Sequence, residues 1–337
     1  NDEREVWWME TIGGHHWMAR RVPDDVVVVM PNRFGMDEFD LADAFGAQEA
    51  HLCSADLREF IADNRLNLNQ GGRFNPRDIF GSHTDMDRIY NTPRAWYIGR
   101  CLAPRSHRWE GEGAEFGPES DDIPWALVPD RKVAVEDVKH LLSGHFQGTP
   151  YDPYSGRDTG ARGKYRSIGI NRTDVMTVCQ IRPWAPEAAK GLEWLCFGST
   201  VFNALLPLYP NVAKLPRFVS RVRDEASTED FYWTSVLIGA LADAHYADCI
   251  QLVERYQNAV FTRGRELVRT WDAKIAEAEA GAGAGDGTGD ASLAEKLAEK
   301  ANEELCAMCK EETTKALTAV AREARRRMKN GYNLADN

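Results

Sequence analysis

Tyr165-Arg-Ser-Ile-Gly-Ile-Asn-Arg-Thr-Asp-Val-Met-Thr-Val-Cys-Gln-Ile-Arg182 is the stretch on which the fold class turns. It reads as two β-prone runs, Tyr165 to Ile170 and Val175 to Arg182. Asn171-Arg-Thr-Asp174 separates them, a connection of hairpin length. In the second run Val175, Thr177, Cys179 and Ile181 share one face at period two. A third run, Leu192 to Gly198, follows closely, so an antiparallel meander is the economical interpretation. Just upstream, residues 149–164 are turn chemistry throughout, rich in Pro, Gly, Tyr and Asp.

Working outward, the first thirty residues also look like sheet. Val6 to Ile12 is β-prone, Gly13-Gly14 is a turn signal, and Val26 to Met30 is a candidate buried strand. Residues 54–64 place Leu57, Phe60 and Ile61 on one helical face, with Ser54 as the expected N-cap. Residues 104–122 read as a surface loop, and 135–146 as a short helix carrying Val138, Leu141, Leu142 and Phe146. From Ser227 the pattern turns helical, opening with Ser227-Thr-Glu-Asp230 as a loose capping box. A long amphipathic run reaches about Ala280. The Gly/Ala/Asp stretch 281–290 is a flexible linker, and Ser292-Leu-Ala-Glu295 opens an amphipathic tail over 291–330. Sheet, mixed segments, sheet and then helices, with no βαβ alternation, favour α+β. The boundaries that follow are a main domain over 1–265, the end of a long helix over 266–280, the linker and the tail.

The 337 residues include 41 Lys and Arg against 52 Asp and Glu, a net charge of -11. Binding to nucleic acid ordinarily needs a basic face that releases phosphate counterions, so no nucleic-acid partner is expected. No stretch approaches the roughly 20 apolar residues of a membrane helix, so no membrane is expected either. Seven scattered cysteines are not a disulfide framework. They suit a reducing, cytoplasmic setting.

Among residues that could carry chemistry, His15-His16 comes first. Neighbours on a strand point to opposite faces, so without a bulge the pair cannot face one ion, and no metal site and no cofactor is expected. Cys306-Ala-Met-Cys309 lies inside the tail helix with no second pair, and reads as two incidental cysteines. The basic cluster Arg322 to Lys329 opposes a helix dipole. No P-loop, GxGxxG or GxSxG pattern occurs. What remains are polar residues in turn-bounded apolar segments: Asn171 and Arg172 between the two runs, Arg94 in Asn91-Thr-Pro-Arg94, Asn203 in Gly198-Ser-Thr-Val-Phe-Asn203, and Arg182. An Asn can donate to a developing oxyanion, and an Arg can clamp a carboxylate. Asn-Arg-Thr-Asp is equally an ordinary hairpin loop.

Several segments together resemble the cysteine-dependent dipeptidases, relatives of the secernins within the N-terminal-nucleophile hydrolases. They include Trp7-Trp-Met-Glu-Thr-Ile-Gly-Gly-His-His-Trp17, Arg20-Arg-Val-Pro-Asp-Asp25, Tyr90-Asn-Thr-Pro-Arg-Ala-Trp96 and Pro129-Asp-Arg-Lys132. Further matches are His145-Phe-Gln-Gly-Thr-Pro-Tyr-Asp-Pro-Tyr154, Ile168-Gly-Ile-Asn-Arg-Thr173, Trp194-Leu-Cys-Phe-Gly-Ser199 and Ala240-Leu-Ala-Asp243. They span roughly residues 5–262 in the family's order. The resemblance implies an αββα sandwich and hydrolysis of dipeptides by the thiol of an N-terminal cysteine, whose own amine is the base. No residue of the chain fills that role, and the nucleophile lies upstream of the Trp-Trp-Met-Glu block in this family. The expectation is a sandwich incomplete at its N-terminus with a C-terminal helical extension. Such a chain is inactive alone and depends on an N-terminal segment or partner chain. Asn171 is then the candidate oxyanion donor, and Arg172, Arg94, Arg182 and Asn203 the candidate substrate-binding residues. A homo-oligomer is left open, and the alternative function is a non-catalytic, secernin-like binding or scaffolding protein.

Overall fold

Antiparallel pairing governs every sheet of the computed structural model, which describes residues 5–66, 74–157, 159–282 and 291–330. The chain divides into two units, 1–137 with 146–168, and 138–145 with 169–337. Helices and antiparallel strands without βαβ crossovers make the class α+β.

In the first unit β1 (Val6–Gly13) and β2 (His16–Val22) form a hairpin, and β3 (Val27–Val28) follows. Next come α1 (Leu41–Ala44), β4 (His51–Cys53) and α2 (Leu57–Asp63). The strand order of the larger sheet is β1-β2-β4. Met18, Met36, Phe39, Leu57 and Ile61 form one apolar cluster of this unit. The expected helix over 54–64 is therefore present, with Leu57 and Ile61 buried as its spacing required. Ser54 does not cap it, because its hydroxyl accepts instead from the Trp17 amide (3.5 Å).

Further along are α3 (Pro76–Phe80), α4 (Asp87–Tyr90) and α5 (Thr92–Leu102). Strand β5 (Ala126–Leu127) pairs with β3, and α6 (Val135–Leu142) contributes residues to both units. Only Val27 and Val28 of the expected strand Val26 to Met30 are paired as strand. A second cluster gathers Trp96, Tyr97, Trp109, Phe146 and Tyr165. The Trp96 indole N–H donates to the Trp109 carbonyl (2.9 Å), and the Trp109 indole N–H to the Ala103 carbonyl (2.8 Å). Gly99 is the residue that permits this, since a Cβ there would run into the Trp109 ring. The loop 104–122 thus carries a core tryptophan. Helix α6 ends before Phe146, whose φ of 64° takes it out of the helix and into this cluster.

The second unit is built on the sheet β6-β7-β8, comprising β6 (Val175–Ile181), β7 (Gly191–Phe197) and β8 (Leu206–Leu208). Val175, Thr177, Cys179 and Ile181 do share a face of β6, but it is the exposed one, and Met176 points inward. The expected strand Tyr165 to Ile170 does not form. Tyr165 turns into the aromatic cluster of the first unit, and Gly169 lies against the Ser143 backbone, its amide bonded to the Gly144 carbonyl (2.9 Å). The backbone of that run is committed to single, irregular contacts. The meander is β6-β7-β8 instead.

Helices α7 (Arg217–Ser220), α8 (Phe231–Ala244), α9 (Tyr246–Ala282) and α10 (Ala291–Arg326) complete the unit. Helix α8 starts one residue after the expected capping box, whose Ser227 hydroxyl accepts from the Glu229 amide (3.2 Å). The long helical run is broken at His245. Helix α10 packs along α9, α8 and β8, burying Ala298, Leu305, Met308, Cys309 and Val320. Asn302 on α10 accepts from the Tyr209 amide and donates to its carbonyl, both at 2.9 Å, continuing the backbone pairing beyond β8. Residues 283–290 of the expected linker lie outside the described residues. No helix among the described residues is long and apolar enough to cross a membrane.

Candidate functional site

Arg94 stands in the first turn of α5, where Pro93 suits a position whose amide needs no helical partner. Its guanidinium is held by oxygens that are all uncharged. The Nη2 donates to the Pro31 carbonyl (2.9 Å), Asn32 Oδ1 (3.0 Å) and Asn91 Oδ1 (2.8 Å), and Nε to the Tyr90 carbonyl (2.5 Å). Asn32 reaches this place with φ 61°, a left-handed conformation that asparagine tolerates better than most residues. Asn91 is oriented in turn by donating to Asp87 Oδ1 (2.5 Å).

No carboxylate among the described residues pairs with Arg94. Burial, and then the positive charge of Arg166, lower its pKa to about 10. Arg166 likewise has no carboxylate partner among the described residues, and its Nε is buried without an acceptor. Buried charges are ordinarily paired, because removing an ion from water costs several kcal/mol. Two guanidiniums close together, one fixed by neutral acceptors and neither neutralised, form a ready site for an anion, and above all for a planar carboxylate. Sequence reading found Arg94 and missed Arg166, which was assigned to a strand. Nothing in the linear sequence links residues 94 and 166.

The other expected residues belong to the second unit. Asn171 and Arg172 lie in the turn Ile170–Thr173, closed by the Thr173 amide on the Ile170 carbonyl (3.1 Å), and both are exposed. The turn leads into β6 from an irregular segment, so the hairpin expected there is corrected to a simple β-turn. Arg182 is buried, and its guanidinium is spent on Asp272 of α9 through Nη1–Oδ2 (2.8 Å) and Nη2–Oδ1 (3.1 Å) and on the Ala189 carbonyl. Tyr209 also donates to Asp272 Oδ1 (2.8 Å). With both its Nη groups engaged, Arg182 ties β6 to α9. Asn203 is fully buried, its amide donating to the Ser199 carbonyl (3.0 Å) and the Ser235 carbonyl (3.1 Å). Its N–H donors join the segment after β7 to α8, while its Oδ1 has no partner among the described residues.

Six of the seven cysteines are a poor source of nucleophile. The thiolate is the reactive form, and burial raises the pKa of Cys53, Cys101, Cys196, Cys249, Cys306 and Cys309, to about 11 for Cys196 and about 12 for Cys306. Cys179 is exposed on β6. Cys306 and Cys309 both lie buried on α10. A wide cleft of about 980 Å³ in the first unit is lined by Asp37, Glu38, Asp40, Asp78, Asp121 and Asp122. It holds none of the five expected residues, and its lining sets Arg20, Arg77 and His51 among those carboxylates. The Arg94–Arg166 pair is the better candidate, because its charge is unopposed by a carboxylate among the described residues.

Comparison with known proteins bears on this arrangement. The profile of Peptidase family C69 matches residues 1–259. A protein of Bifidobacterium longum named "Dipeptidase" is 50% identical over 279 residues, covering 82% of this chain and 52% of the relative. A "Probable dipeptidase A" of Streptococcus pyogenes serotype M18 is 41% identical over 281 residues, 83% of this chain and 57% of the relative. "Dipeptidase A" of Lactobacillus helveticus is 35% identical over 278 residues, 82% and 55%. The chain spans about half the length of the curated relatives it matches. A profile match over about three quarters of the residues places the chain in Peptidase family C69.

Proposed function

We propose that the chain forms a large part of a dipeptide-hydrolysing enzyme and supplies much of its substrate site, while the attacking thiol is furnished by residues outside it. In that reading Arg94 and Arg166 hold the free carboxylate of the dipeptide. The observation that carries it is the absence of a counter-ion for these two guanidiniums among the described residues. The thiol adds to the scissile carbonyl, the C–N bond breaks with a proton going to the departing amine, and water releases the acyl group. Asn171, exposed at a turn of the second unit and free of other bonds among the described residues, is proposed as oxyanion donor on its chemistry, and Arg172 as a substrate-binding residue. The surrounding architecture is a αββα sandwich completed by strands from the same outside residues.

A dipeptide panel tests the proposal. The 337-residue chain should be inert, and the protein carrying the additional N-terminal residues should turn dipeptides over and lose activity to a thiol reagent. Turnover by the chain alone refutes the external nucleophile. Inertness of the longer protein favours a binding or scaffolding role.

A further inference from the structure

The tip of the β1–β2 hairpin carries a cluster that the catalytic reading leaves unused. His15, His16 and Asp56 bring one ligand atom each to within 4.8 Å of one another. The strand rule that set His15 and His16 on opposite faces does not apply here. The pairing shifts between Thr11 and Gly13, Gly14 has φ +57°, and His15 sits in the turn itself, ahead of β2. The two imidazoles consequently lie side by side with ring centroids 4.1 Å apart. Asp56, immediately before α2, meets both, its Oδ2 2.8 Å from His15 Nε2 and 3.4 Å from His16 Nε2.

His16 is oriented before any ligand arrives. Its ring stacks on Phe60 of α2 at 4.0 Å, and its side chain is only 11% exposed. Its Nδ1 faces the Gly13 carbonyl at 3.3 Å. A carbonyl only accepts, so the tautomer protonated at Nδ1 would satisfy this contact and leave the Nε2 lone pair available to an ion. Fixing a histidine through its other nitrogen is the usual support of a metal ligand. Ligands about 2.0–2.1 Å from a tetrahedral ion stand ~3.4 Å apart. The His16–Asp56 separation already has that value. The His15–Asp56 separation would open by about half an ångström as an ion replaces the shared proton.

We propose that His15, His16 and Asp56 form a binding site for a first-row divalent metal ion of the zinc type, clipping the hairpin tip to the start of α2. Two imidazoles and a carboxylate suit zinc, cobalt and nickel over calcium or magnesium, which favour all-oxygen shells. His15 and Asp56 are largely exposed, so water completes the coordination. The site is independent of the proposed hydrolysis, and its function is a local staple.

Cobalt(II) is the probe, titrated into the metal-free 337-residue chain. One equivalent should bind with visible bands of a four- or five-coordinate nitrogen–oxygen site and without the near-ultraviolet thiolate band that cysteine ligation would give. His15→Ala and Asp56→Asn alter exposed side chains and leave the hydrophobic core intact; each should weaken cobalt binding at least about tenfold. Zinc should raise the Tm of the parent and not of either variant. Unchanged cobalt affinity in both variants, or a thiolate band accompanying the first equivalent, overturns the site.

Discussion

Glu10 and Arg77 hold the same peptide from its two polar ends. The Glu10 carboxylate accepts from the amides of Gly35 (2.7 Å) and Met36 (2.9 Å), while Arg77 donates to the Gly35 carbonyl through Nε (3.1 Å) and Nη2 (2.6 Å). Glu10 comes from β1 and Arg77 from α3, so one stretch of loop locks a strand to a helix. Neither residue was singled out from the sequence, where each looks like one more surface charge.

The first prediction concerns pH. Burial lifts the Glu10 carboxyl above its ordinary 4.5, against its two amide bonds and Arg77. A raised folded-state pKa means that the folded chain holds this proton more tightly than the unfolded chain. The stability contributed by that linkage is complete below the unfolded pKa and is lost as pH rises through the folded value. Glu10→Gln cannot ionise and lacks this slope. It places an NH2 against one of the two amides, costing about 1–3 kcal/mol. Urea unfolding from about pH 4 to about pH 7 should show the advantage of Glu10 over Gln shrinking as pH rises. A gap that widens instead contradicts the assignment.

Arg182 and Asp272 should prove structural. Arg182→Ala leaves a partly buried carboxylate without its cation, at an expected cost of about 3–5 kcal/mol, and pairing Arg182→Met with Asp272→Leu should recover most of it. Denaturant midpoints of the parent and the two variants decide the matter. A KM effect of Arg182→Ala with unchanged stability would restore the residue as a substrate clamp.

Arg94→Ala and Arg166→Ala, made in the protein that carries the nucleophile, should each raise KM about 10- to 100-fold with a smaller change in kcat. A carboxylate clamp acts on ground state and transition state alike. Dipeptides amidated at the C-terminus should be poor substrates for the parent and insensitive to either substitution. Equal losses on amidated and free dipeptides would remove the carboxylate from the account.

Asn171→Ala should lower kcat by about 10²–10³ with little change in stability, as expected of a donor that acts on the developing oxyanion. Steady-state kinetics beside a thermal melt separate the two effects. An unchanged kcat reduces Asn171 to a turn former.

Legibility in the sequence followed how local each cause was. The hydrophobic spacing of Leu57 and Ile61, the alternation through β6 and the helical run from Phe231 depend on neighbours a few residues away, and they were readable. Tyr165 to Ile170 misled because its apolar residues serve tertiary packing in two different units, which a periodicity cannot distinguish from a strand. Arg94 was visible as a polar residue in an apolar, turn-bounded segment, but its lack of a counter-ion is a three-dimensional fact. The two histidines converge because one residue of turn, set by Gly14, interrupts the strand alternation from which divergence is expected.

The bonds from Asn302 to Tyr209 have a practical corollary for anyone preparing a shorter version of the protein. The family profile match ends at residue 259, inside α9 and one position before the fully buried Val260. A gene trimmed there would sever that helix, delete α10, strip the cover from Leu206 and Leu208, and leave the Tyr209 amide and carbonyl unpaired. Its product should be recovered from inclusion bodies. The end of a profile match is not a border at which the polypeptide can be cut.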